Sequence, residues 1–254
     1  MDLGLKGKSV FITGGSKGIG LACAHSFAAE GCNLVLVSRN ADQLKAVSAQ
    51  VRSAHGVTVE GLALDLRKPA DLEAAGRRAG EADILVNNAG DIPAGSIDKM
   101  DDAAWRHAWE LKVFGYVGLT RSAFVAMKKR GSGVILNVIG MAGERPNFDY
   151  ICGTTANAGL AAFSKAMGQG STAHGVRVMA VHPPATRTER IDAMNRAMAK
   201  ARYGDESRIE DLYRDKVSSP AIEPEQVADA VVYLCSPRAS QLSGIVLNLG
   251  PSHG

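Results

Sequence analysis

Short runs of aliphatic and β-branched residues alternate with amphipathic stretches along almost the whole chain, and this alternation limits the fold more than any other feature. The runs lie at residues 9–13, 33–38, 58–64, 84–87, 134–138, 176–181 and 245–249. Most are apolar nearly without interruption, as in strands covered on both faces. Between them, Ile19, Ala22, Cys23 and Phe27 mark one helical stripe, Leu160, Phe163 and Met167 a second, and Val227, Val231 and Leu234 a third. Strand, helix, strand repeated in this way requires a parallel sheet with right-handed crossovers, an α/β fold. No linker rich in Gly, Ser or Pro and no repeat interrupts it, so residues 1–254 are expected to form a single domain.

Composition narrows the partners. With 46% hydrophobic residues the chain has material for a full core, which excludes a disordered, collagenous or rod-like protein. Lys plus Arg number 29 against 26 Asp plus Glu, so no basic excess points to nucleic acid or a membrane surface. Cys23, Cys32, Cys152 and Cys235 form no CxxC pair and share no spacing with the histidines, which predicts free buried thiols, with neither a metal site nor a disulfide framework. No apolar run approaches the length of a membrane span, and the first residues lack a signal-peptide pattern. A soluble cytoplasmic protein is expected.

One segment departs from the alternation. Residues 187–218 carry eight basic and seven acidic side chains and read as one or two exposed helices. An insertion at the C-terminal edge of a parallel sheet lies beside the ligand crevice, so this excursion is also a candidate lid.

The first strand runs directly into Thr13-Gly14-Gly15-Ser16-Lys17-Gly18-Ile19-Gly20 and then into a helix. Glycines there let the backbone turn tightly and approach a pyrophosphate, while the free N–H groups and positive end of the helix attract the anion. At this loop the chain resembles the short-chain dehydrogenase/reductase family, whose TGxxxGxG pattern it matches at Thr13, Gly14, Gly18 and Gly20. The resemblance continues at Asn87-Asn88-Ala89-Gly90, at Asp65 with Leu66, where the family places an acid near the adenine, and at Thr188, where it places a threonine against the carboxamide. It implies a doubly wound Rossmann-type sheet of about seven strands, a small-molecule substrate, and a homo-oligomer, dimer or tetramer, built on two long helices. On the nicotinamide side it adds Lys112, Pro183 and Thr186 to the cofactor set.

The choice of cofactor follows from charge. An NAD-preferring site has a carboxylate at the end of the second strand, whereas a 2′-phosphate needs a cation there. This chain has Ser38-Arg39-Asn40 at that point and Lys17 inside the loop, which favours NADP.

The catalytic half of the pattern differs. Hydride transfer to a carbonyl needs a proton donor at the oxygen and a neighbouring positive charge; the family supplies Ser, Tyr-x-x-x-Lys and an Asn. Aligned on the flanking segments, the Ser slot holds Gly140, the Tyr slot Gly153, the Lys slot Asn157 and the Asn slot Lys112. Lys112 and Asn157 thus exchange the family's Lys and Asn, which predicts that they share one pocket; the alternative is a Lys112 that faces solvent or an acid. Tyr150, three residues before the empty Tyr slot, is the candidate phenol, or else a packed or pocket-lining residue. His182, followed by Pro183-Pro184, is either a proton carrier or a buried histidine at a strand end.

Three functions remain open: an NADP-dependent oxidoreductase acting on a carbonyl or alcohol with a rearranged site built on Lys112, Tyr150 and Asn157; an inactive NADP(H)-binding sensor or partner subunit; and a non-redox lyase or isomerase using Lys112 as base or Schiff-base amine.

Overall fold

The computed structural model describes residues 2–215 and 221–250. Strands β1 (Ser9–Thr13), β2 (Asn33–Ser38), β3 (Val59–Ala63), β4 (Ile84–Asn87), β5 (Gly133–Val138), β6 (Val176–His182) and β7 (Val246–Asn248) form one sheet in the order β3-β2-β1-β4-β5-β6-β7. Every neighbouring pair is parallel. The order reverses between β1 and β4, and the crevice beyond their C-terminal ends is where open sheets of this kind bind ligands.

Helices α1 (Gly18–Ala29), α2 (Ala41–His55), α3 (Pro69–Glu81), α4 (Asp102–Trp109), α5 (Gly115–Arg130), α6 (Ile151–Ser171), α7 (Glu189–Tyr203), α8 (Ile209–Arg214) and α9 (Pro224–Cys235) surround the sheet. Alternate strand residues face two core layers. Val10, Ile12, Leu34 and Leu36 pack with Cys23 and Phe27 of α1 and Val231 of α9. Phe11, Val35, Leu85 and Ile135 pack on the opposite face with Ala75 of α3 and Leu119 and Met127 of α5. Phe11 and Phe27 are fully buried, each contributing about 1.5–3 kcal/mol. The four cysteines are free and buried, and burial pushes the thiols of Cys23 and Cys32 up to about 12.

One helix differs from the expected stripe. The buried face of α6 is Cys152, Ala156, Leu160, Ser164 and Gly168, while Phe163 and Met167 are only half-buried. Small residues let this helix approach closely: a Cβ at Gly168 would stand 2.3 Å from Gly244 Cα.

The charged excursion contains α7 and α8, and its residues 216–218 lie outside the described residues. Its base is tied by two backbone bonds, Arg187 N to Ile222 O at 2.7 Å and Ile222 N to Ala185 O at 2.9 Å. Among the described residues no helix is long and apolar enough to cross a membrane.

Candidate active site

The glycine loop is held by its neighbours on both sides. Gly14 N and Gly15 N both donate to Val37 O, which turns the chain sharply after β1. Thr13 Oγ1 accepts from the backbone amides of Asn88 and Ala89, and Asn88 Nδ2 donates to Thr13 O and Gly14 O. A Cβ at Gly20 would lie 2.6 Å from that Asn88 amide and 2.8 Å from Gly14 C, so only glycine fits there. Gly18 has φ +55 and faces Thr188 Cγ2. The first amides of α1 have no partner within the helix and point out of this turn, the donor set a pyrophosphate requires. Ser16 Oγ donates to Ser38 Oγ at 2.9 Å, tying the loop to the end of β2. The loop therefore fits a dinucleotide on its own geometry.

Charged groups gather at the outer end of the crevice. Lys17 Nζ lies 3.3 Å from Glu189 Oε2, and Arg39 lies 3.7 Å from Asp91 Oδ2. Arg67 holds Asp65 through Nε at 2.9 Å and NH2 at 2.8 Å, and this pair keeps the carboxyl below its usual range. Several expected cofactor residues already have structural duties. Asn40 caps α2 through Gln43 N, Thr188 caps α7 through Ile191 N, and Thr186 Oγ1 donates to Pro184 O. Leu66 belongs to the core, so its backbone alone is available to a ligand, and Pro183 is buried. Ile19 and Gly90 lie on the same crevice wall as the loop and Lys112 respectively, Ile19 on the first turn of α1 and Gly90 against the lysine stem.

At the inner end the chain between α4 and α5 forms a π-helical turn, Glu110–Phe114, a feature common at functional sites. It directs Lys112 inward. The Nζ donates to Val138 O at 2.8 Å, Ile139 O at 3.2 Å and Tyr116 Oη at 3.0 Å. Tyr116 Oη in turn donates to Val138 O, and burial raises that phenol well above its usual range. Three acceptors match the three donors of an ammonium. An amine engaged in this way presents no lone pair to a carbonyl carbon. Of the two expectations for Lys112, solvent and an acid give way to a buried seat on the end of β5.

Asn157 lies at the same strand end. It is buried, its Oδ1 has no hydrogen-bond partner, and a Cβ at Gly140 would stand 2.9 Å from its Nδ2. Gly140 also has φ +153, a backbone conformation that disfavours a serine there. Lys112 and Asn157 thus converge on residues 138–140.

Tyr150 immediately precedes α6 as its N-cap, and its ring lies across Gly153: a Cβ at that glycine would stand 2.7 Å from Tyr150 Cδ1 and nearer still to Cε1 and Cζ. The phenol occupies the space into which a side chain at 153 would project. His182 is buried at the end of β6, with Nδ1 2.5 Å from Gly140 O. Burial lowers its pKa, partly offset by that carbonyl and Glu144. Its place is therefore a brace beneath the 140–143 turn. Reading the sequence missed Tyr116, whose only signal is its i+4 spacing from Lys112, and the acids Asp91 and Glu189, which carry no local signal.

A family model described as short chain dehydrogenase matches residues 8–199. The 7alpha-hydroxysteroid dehydrogenase of Escherichia coli K12 is 30% identical over 252 residues, covering 98% of this chain and 94% of the relative. Among solved structures, L-sorbose reductase from Gluconobacter frateurii with NADPH and L-sorbose superposes with a TM-score of 0.90 at 31% identity, covering 98% of this chain and 97% of that one. A 7α-hydroxysteroid dehydrogenase complexed with NADH and 7-oxo glycochenodeoxycholic acid gives 0.83 at 28% identity, covering 98% and 94%.

Proposed function

Because the chain belongs to the short-chain dehydrogenase family, we propose that it is an NADP-dependent oxidoreductase acting on a carbonyl or alcohol, with Tyr150 taking over the role of the missing tyrosine. One observation carries this reading: the Tyr150 ring fills the space beside Gly153. NADPH, when bound, supplies the hydride. The glycine loop and the amides of α1 would hold its pyrophosphate, and Arg39 and Lys17 would meet its 2′-phosphate. Tyr150 gives its phenolic proton to the carbonyl oxygen and regains one from solvent.

Lys112 acts as a fixed positive charge. Its donors are spent on Val138 O, Ile139 O and Tyr116 Oη, so its contribution is electrostatic, favouring the negative charge that develops on oxygen in the crevice. Asn157 packs beside Gly140, and its unsatisfied Oδ1 remains as an acceptor at the same strand end. The saturated coordination of Lys112 speaks against the Schiff-base alternative. The same saturation favours, as the second reading, a protein that binds NADP(H) without hydride transfer.

The substrate is a small molecule. The protein is read as a cytoplasmic homo-oligomer, dimer or tetramer, joined through α5 and α6, a face on which Phe114 and Val125 are more than half exposed. The functional test is NADPH oxidation over a panel of ketones and aldehydes by the parent and by Lys112→Met. The oxidoreductase reading expects turnover in the parent and a fall of about 100-fold in the variant, with NADPH still bound. Equal rates in parent and variant contradict the role of Lys112, and NADPH binding without turnover on any carbonyl leaves the binding protein as the function.

A further inference from the structure

Each of the two cations assigned to the 2′-phosphate is already opposed by a carboxylate from a distant part of the chain. Glu189, the first residue of α7, faces Lys17, and Asp91, directly after Asn88-Ala89-Gly90, faces Arg39. All four side chains are more than half exposed, so a dissolved anion can reach either pair. Neither acid stands at the end of β2, where a carboxylate would hold ribose hydroxyls. The nearby Asp65 is hydrogen-bonded by Arg67 and reaches Arg39 only through the weaker electrostatic attraction, so Asp91 is the carboxylate paired with Arg39.

We propose that Glu189 and Asp91 are internal counter-anions that the 2′-phosphate of the cofactor displaces, and that they set how strongly the chain prefers the phosphorylated over the unphosphorylated dinucleotide. The proposal rests on the NADP reading and adds two residues to it. A phosphate carries a charge of about −1.5 to −2 near neutral pH against −1 for a carboxylate, so it wins the contest for both cations. The affinity gained is what remains after the two existing pairs are given up. NADH has no such phosphate and leaves both pairs in place. Once released, Glu189 is still stabilised at the positive end of α7, which lowers the cost of its displacement.

The experiment is titration of the full chain with NADPH and with NADH, followed by tryptophan fluorescence, for Glu189→Gln, Asp91→Asn, Lys17→Met, Arg39→Met and the two matched pairs Lys17→Met/Glu189→Gln and Arg39→Met/Asp91→Asn. Each acid substitution is expected to tighten NADPH binding by about twofold to fivefold, the range of exposed ion pairs, while NADH is unaffected. The gain should vanish when the opposing cation is also removed, and should shrink at high salt. NADPH affinity unchanged by either acid substitution, or both cofactors shifted equally, overturns the proposal. If Lys17→Met and Arg39→Met themselves bind NADPH as the parent does, the NADP reading falls with it; if they weaken NADPH while the acid variants do nothing, the role of the acids alone is lost.

Discussion

Replacing Gly153 with alanine separates the position of the Tyr150 phenol from the stability of the fold. The new Cβ would stand 2.7 Å from Cδ1 and closer to Cε1 and Cζ, so the ring must retreat by about 1 Å or more to reach ordinary carbon contact. Two effects on stability oppose each other. Alanine favours the first turn of α6 by about 1 kcal/mol over glycine. Crowding costs about 1–3 kcal/mol in a tight core, and less here because Tyr150 is only half-buried and its ring can swing outward. The net change should stay within about 2 kcal/mol, a shift of a few degrees in Tm. The catalytic effect is not offset in this way, since a displacement of about 1 Å costs on the order of 100-fold in rate. Thermal denaturation, NADPH titration and kcat/KM on an active carbonyl would be measured together. A variant that melts near the parent, binds NADPH normally and loses about 100-fold in kcat/KM is the expected result. Full turnover in a folded Gly153→Ala protein would refute the placement of the phenol.

Arg39→Asp should weaken NADPH by about tenfold or more and strengthen NADH, because a carboxylate then faces the ribose at the end of β2; unchanged NADPH affinity removes Arg39 from the site. Arg177 donates to the carbonyls of Leu234, Cys235, Ser236, Ala239 and Leu242 at the end of α9. Arg177→Met leaves those acceptors without the guanidinium and should cost about 2–4 kcal/mol in urea unfolding. His182 has a folded pKa below its ordinary 6.5, chiefly through burial, so the unfolded chain binds the extra proton first. Its contribution to stability is complete above that ordinary value and is lost as pH falls from there through the folded pKa, at no more than about 1.4 kcal/mol per pH unit. His25, lowered by burial and by His55, adds a slope of the same sign, so His182→Asn should reduce the acid-side slope of ΔG without abolishing it.

The sheet was legible because its inner strands are apolar on both faces, and β1, β2 and β4 have the expected limits. The outer strands are shorter than their apolar runs, β3 stopping at Ala63 and β7 keeping only Val246–Asn248, because an edge strand lacks a second neighbour to continue the ladder. The face of α6 is legible only in part: Leu160 is buried and Phe163 and Met167 pack at its edges, but Cys152, Ala156 and Gly168 serve close approach, which a search for bulky residues overlooks. The exchange of Lys112 and Asn157 was visible as two departures from one pattern. The π-helical turn that sends Lys112 onto carbonyl oxygens has no comparable sequence signal. Lys17 and Glu189 are 172 positions apart, and only the reversal of strand order brings α7 over the glycine loop.

The central claim is that the phenol of Tyr150 supplies the proton in a site that lacks the usual tyrosine, and Tyr150→Phe tests it most directly. NADPH oxidation on an active carbonyl should fall by about 100-fold or more, the share general acid catalysis commonly provides, while NADPH binds as tightly as in the parent. A Tyr150→Phe protein that oxidises NADPH at the parent rate would contradict the account.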